Sequence, residues 1–154
     1  MATSALLVVD VTVEGVAAPW ASAILEPIAG ELDYYRSRGR FIAFACEPAT
    51  GDAGPRQALH PACAADPLDA VFHKRGYSAF HGTELEATLR ERGVDELRIV
   101  GLQTHTGVLY TAADAASRGL AVVVSEPCVA AADDEDHRWA LRQVREVLVP
   151  YPRP

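Results

Sequence analysis

Lysine and arginine are scarce in this chain. It carries 14 of them against 21 aspartates and glutamates, a formal charge of −7 over 154 residues. Nucleic acid and anionic membrane surfaces both need clustered cations, so this balance argues against either as a partner. Long apolar runs are also missing, and none approaches the ~20 residues of a membrane span. Met1-Ala2-Thr3-Ser4 places no positive charge ahead of apolar residues 5–9, so that stretch reads as a first strand and not as a secretory signal. A cytosolic protein with a small-molecule partner is expected. Cys46, Cys63 and Cys128 are an odd count without Cys-x-x-Cys spacing, which argues against a disulfide framework and a zinc site. The five histidines show no pair at helical i, i+4 spacing, so no metal is expected. Internal repeats, linkers and low-complexity segments are absent.

What is present is ordinary for a globular domain, 49% apolar and 23% charged residues, in a length that suits one domain spanning 1–154. Short β-branched runs alternate with longer amphipathic stretches, the pattern of βαβ units. This predicts a Rossmann-like, three-layer α/β/α fold around a mostly parallel sheet of five to six strands. Strands are expected at residues 5–9, 40–46, 70–73, 97–100 and 120–124, with a short sixth at 147–151. Helices are expected over 19–37, stopped by Gly39, from Thr83 to Gly93 with Glu86 completing a capping box, over 106–118, and over 133–147. Residues 47–67, rich in proline and glycine, read as a long loop over the site.

Functional groups stand where these strands end, and an open α/β sheet binds its ligands at the carboxyl ends of its strands. Asp10 follows five apolar residues, where burial would raise its pKa toward that of a general acid; its bland alternative is a helix or loop cap. Lys74 also ends an apolar strand and needs a partner if buried, which makes Asp10 the candidate. The pair could still be purely structural. Glu47 brings a second carboxylate toward the same crevice and would couple to the titration of Asp10. His105-Thr106-Gly107 lies at a strand-to-helix turn, where backbone N–H groups can bind developing negative charge and Gly107 admits close approach.

These residues resemble the isochorismatase-like hydrolase superfamily, which includes nicotinamidases and other cysteine hydrolases. The resemblance spans nearly the whole chain. It rests on Leu6-Leu7-Val8-Val9-Asp10, Lys74-Arg75-Gly76-Tyr77-Ser78-Ala79-Phe80, Val100-Gly101-Leu102-Gln103-Thr104-His105-Thr106-Gly107 and Thr111-Ala112-Ala113-Asp114-Ala115. Gly107 matches the position of the nucleophilic cysteine, and a glycine cannot attack an amide. The resemblance therefore points to the cysteine-lacking isochorismatase and phenazine-pathway type of secondary metabolism, which cleaves a vinyl ether and releases pyruvate. It implies Asp10, Lys74 and Gly107 as catalytic positions, with Asp10 protonating the double bond. Glu47, Arg56, Tyr77, Gln103, His105 and Thr106 are implied for substrate binding, Arg56 holding a carboxylate of a small cyclic substrate. No cofactor is implied, a homo-oligomer is, and a non-proline cis peptide would fall at Leu102–Gln103.

Four positions depart from that pattern: Thr12, Glu47, Gln103 and Glu126 replace glutamine, glutamine, tyrosine and aspartate. A carboxylate at Glu47 would repel a carboxylated substrate unless protonated or paired with Arg56. Other readings keep the fold: ring opening or dehydration by Asp10 and Glu47, a binding protein without chemistry, or a relocated Cys46 nucleophile.

Overall fold

Ser4-Ala5-Leu6-Leu7-Val8-Val9 forms β1 (Ser4–Val9), buried at all of its positions. Such a continuous apolar run is what a parallel strand covered on both faces requires. The computed structural model describes residues 2–48 and 58–151. Within them β1 pairs with β2 (Ile42–Cys46) on one side and β4 (Glu96–Leu102) on the other. The edges are β3 (Ala70–His73) and β5 (Ala121–Ala130), giving an all-parallel sheet in the order β3-β2-β1-β4-β5. Side chains of a strand alternate between faces, so β1 divides its residues between two cores. Leu6 and Val8 pack with Ile28, Leu32 and Tyr35 of α2 (Leu25–Ser37). Ala5, Leu7 and Val9 pack with residues of α3 (Leu85–Glu91), α4 (Leu109–Ser117) and α5 (Asp134–Arg142). These are the expected three layers, and each fully buried leucine among them contributes about 2 kcal/mol.

Several boundaries differ from expectation for local reasons. The helix expected over 19–37 is two helices, α1 (Pro19–Ser22) and α2. Pro27 in the first turn of α2 lacks an N–H, and its ring would collide with the carbonyl of Ala23 in a continuous helix. The capping box at Thr83 does not form as expected. Thr83 accepts from the Leu85 N–H, while Glu86 faces outward to Arg90 and Arg118. A five-residue π-type turn, Thr104–Val108, precedes α4. The expected sixth strand at 147–151 is not a strand; the Tyr151 N–H bonds instead to the Ala116 carbonyl. β5 runs through Pro127 to Ala130, which an edge strand tolerates because its outer N–H groups have no ladder to serve. No helix among the described residues is long and apolar enough to cross a membrane.

The order of strands reverses between β1 and β4. Connections from their carboxyl ends diverge there, and a crevice opens at that edge of the sheet.

Candidate active site

At the end of β1 the chain turns sharply, because Asp10 adopts φ 54° in the left-handed region. Aspartate is one of the few non-glycine residues that tolerates this region, and such outliers cluster at sites. The turn aims the carboxyl group across the crevice. Lys74, which follows β3, sends its ammonium to Asp10 Oδ2 at 2.8 Å and to the Tyr77 carbonyl oxygen at 3.3 Å. The lysine side chain is only 3% exposed, the Asp10 side chain 30%. Desolvation raises the pKa of Asp10 most strongly. Its hydrogen bond and attraction to Lys74 oppose the rise, and the charge of Glu47 adds to it. Asp10 therefore holds its proton more tightly than an ordinary aspartate does.

The second wall comes from β4. Its last residue begins the cis peptide Leu102–Gln103, as the resemblance implied. The π-type turn that follows carries Gly107 to the crevice floor. A Cβ there would lie 2.7 Å from the Leu102 carbonyl oxygen and 3.4 Å from Asp10 Oδ2, so the backbone sits closer than a side chain allows. Gly101 is required too, because its φ is 120° and a Cβ would run into the Val9 carbonyl. The turn is held from outside. Buried Thr104 Oγ1 meets His137 Nδ1 at 2.8 Å, and Gln103 Oε1 accepts from the Ala132 N–H at 3.4 Å.

Together these elements enclose a cavity of about 330 Å³. Asp10, Glu47, Lys74, Tyr77, Gln103, Thr106 and Gly107 all line it. His105 is not in the lining; its Nε2 faces Asp136 Oδ2 at 3.7 Å, and its Nδ1 is buried without a hydrogen-bond partner among the described residues. The Thr106 N–H, expected to be free for an anion, bonds to the Gln103 carbonyl oxygen. Arg56 lies outside the described residues. Glu14, Gly15 and Trp20 also line the cavity and were not singled out as site residues from the sequence. The available signal was their position, within ten residues of the strand-ending Asp10.

The cysteines stand apart from this lining. Burial pushes the thiol pKa of Cys46 up, with Asp10 and Glu47 adding to the rise, and that of Cys128 up to about 11. Cys63 is also raised by burial, and its thiol donates to the Leu25 carbonyl. None is poised as a thiolate.

A parallel α/β sheet with an acid–lysine pair at its switch point defines a class of architecture in which the carboxyl ends of the strands form the site. The family is shown by comparison: the Isochorismatase domain matches residues 4–151, and this chain belongs to that family of hydrolases. Among curated proteins, it is 48% identical to the isochorismatase family protein PncA of Bacillus subtilis over 49% of this chain and 42% of that one. It is 35% identical to the nicotinamidase/pyrazinamidase of Mycobacterium tuberculosis over 62% of this chain and 56% of that protein. The matched stretch thus spans about half the length of these curated relatives. Among solved structures, the pyrazinamidase/nicotinamidase of Streptococcus mutans superposes with a TM-score of 0.88 at 30% identity, covering 96% of this chain and 98% of that one. The N-carbamoylsarcosine amidase of Thermoplasma acidophilum superposes with a TM-score of 0.85 at 27% identity, covering 94% and 92%.

Proposed function

We propose that the chain hydrolyses a vinyl ether on a small cyclic substrate, with Asp10 as general acid and without a nucleophilic cysteine. The observation that carries this reading is the Asp10 carboxyl, its pKa raised by burial, facing bare backbone at Gly107, 3.4 Å from where a Cβ would be. Asp10 gives its proton to the terminal carbon of the enol-ether double bond, and the ether carbon becomes an oxocarbenium centre. Water adds there, and the hemiketal collapses to pyruvate and the ring alcohol. The proton released by that water returns to Asp10. Lys74 fixes the orientation of the carboxyl group and stabilises the carboxylate while its proton is away. In this reading Arg56 holds a ring carboxylate.

Amide hydrolysis of the kind named for the nicotinamidase relatives is disfavoured. The turn offers no nucleophile at Gly107, and the three cysteines are buried with raised thiol pKa values. The test is pyruvate release from isochorismate and from 2-amino-2-deoxyisochorismate, with ammonia release from nicotinamide as comparator. Wild type should release pyruvate and no ammonia, and Asp10→Asn should lose at least about 100-fold in kcat, the usual weight of a general acid. Undiminished turnover in a folded Asp10→Asn variant would end this reading.

A further inference from the structure

Behind the turn that carries Gly107, on the side away from the cavity, three side chains form a hydroxyl–imidazole–carboxylate series. Thr104 Oγ1 lies 2.8 Å from His137 Nδ1, and His137 Nε2 faces Glu126 Oε1 at 3.9 Å. The other oxygen of Glu126 accepts from Arg145 Nη2 at 3.5 Å. A series of this kind makes a nucleophile of its hydroxyl only where a substrate can reach it. Thr104 is fully buried and does not line the cavity, so its hydroxyl meets no substrate. A second contact has the same direction. His105, the next residue of the turn, faces Asp136, the residue before His137 on α5. Consecutive residues of the turn are thus docked on consecutive residues of α5.

We propose that His137 is the positioning residue of the Gly107 turn, and that Glu126 fixes the tautomer in which it acts. A carboxylate can only accept, so the ring nitrogen facing Glu126 carries the hydrogen of a neutral imidazole and Nδ1 is left as a bare acceptor. The Thr104 hydroxyl then donates its one hydrogen to Nδ1, which stops its rotation. The opposite tautomer would turn a lone pair of Nε2 toward the carboxylate. Holding Thr104 by its side chain keeps the turn closed, with the Gln103 carbonyl accepting from the Thr106 and Val108 N–H groups. Closure keeps the bare backbone of Gly107 beside Asp10 Oδ2. The effect on turnover rests on the vinyl-ether reading, whereas the effect on the turn does not.

Long-range proton–nitrogen NMR of the imidazole reads the tautomer directly. In the wild type His137 should show a protonated Nε2 and a bare Nδ1, and Glu126→Gln, which can also donate to Nε2, should lower the ratio of Nε2–H to Nδ1–H at least about threefold. Amide exchange reads the turn. In His137→Leu, exchange at Thr106 and Val108 should accelerate at least about 10-fold more than at β1, whose amides open with the whole fold. His137→Asn places a carboxamide near the position of Nδ1 and should return exchange to within about threefold of wild type. On an enol-ether substrate, His137→Leu should lower kcat about 10-fold with KM within about twofold, and His137→Asn should restore most of the loss. A protonated Nδ1 in the wild type, a ratio that Glu126→Gln leaves unchanged, exchange that rises no more in the turn than in β1, or an Asn variant no better than Leu would each overturn the proposal. The tautomer measurement needs only the wild type and a change at the exposed Glu126, so it decides even if His137→Leu does not fold. If the spectra and exchange behave as expected and the wild type releases no pyruvate, the vinyl-ether reading fails and the positioning of the turn by His137 stands.

Discussion

Asp10 is governed by opposing neighbours, and its titration can be moved in either direction. In the proposed reaction Asp10 works protonated, so kcat/KM should fall as pH rises through its raised pKa in the free enzyme. Glu47 contributes to the rise and Lys74 opposes it. Glu47→Gln should therefore shift the alkaline limb of the pH–kcat/KM profile to lower pH, and Lys74→Met should shift it to higher pH with a reduced maximum. A limb that stays in place in both variants would mean that another group titrates. Stability follows the same linkage. The contribution of Asp10 is fully present below the ordinary carboxylate range and is lost as pH rises through the raised folded value, so Asp10→Asn should flatten that part of the curve. At neutral pH the same variant strands a lysine whose side chain is 3% exposed, at a cost of about 3 kcal/mol, and adding Lys74→Met should recover most of it. Urea unfolding of the two single variants and the double measures this. The pair was legible from sequence because charges that end apolar strands have few structural reasons to be there. Glu14 and Trp20 were not, because the course of the segment after β1, including α1, depends on the left-handed turn at Asp10, which no local pattern announces.

At the scale of elements, the π-type turn Thr104–Val108 works as a cradle fixed at both ends. The Gln103 carbonyl accepts from the Thr106 and Val108 N–H groups, while Thr104 is tied to His137 on α5. Thr104→Val keeps the volume and removes the hydroxyl, leaving half-buried His137 Nδ1 without its Thr104 partner. The expected loss is about 1–2 kcal/mol of stability. A lower kcat with little change in KM should accompany it, because the turn positions Gly107 beside Asp10. A proportional rise in KM would point to simple loosening of the pocket. Gly107→Ala probes the same turn from inside. Its Cβ would stand 2.7 Å from a backbone oxygen that cannot swing away, so about 1–3 kcal/mol of overpacking and a large loss of turnover are expected together. Strand positions were readable because burial on both faces makes β1 and β2 continuously apolar. Helix boundaries were not: the break before α2 depends on the ring of Pro27 meeting a carbonyl one turn back, and Glu86 prefers Arg118, 32 residues away, to its own helix end.

Over the whole molecule, the sheet order β3-β2-β1-β4-β5 gathers Asp10, Glu47, Lys74 and Gly107 from distant parts of the sequence onto one edge. Alternation of strands and helices suggested a parallel sheet, but no local pattern states which strands are neighbours; order follows from which faces the helices cover. With Glu14 counted beside them, carboxylates outnumber cations among the described lining residues, in a chain whose formal charge is already −7. Local and global fields then have the same sign at the mouth of the pocket, so a cationic ligand is drawn in and an anionic one is slowed before contact. Screening removes this effect over a Debye length of about 10 Å at 0.1 M salt. For an amine-bearing substrate, kcat/KM should fall as ionic strength rises, and for a neutral analogue it should stay nearly flat. Glu14→Gln/Glu47→Gln should flatten the first dependence most, because those two are the exposed carboxylates among the described lining residues. If kcat/KM for the amine-bearing substrate rose with salt, the field at the mouth would be positive, and the residues that set it would have to be sought beyond Glu14 and Glu47.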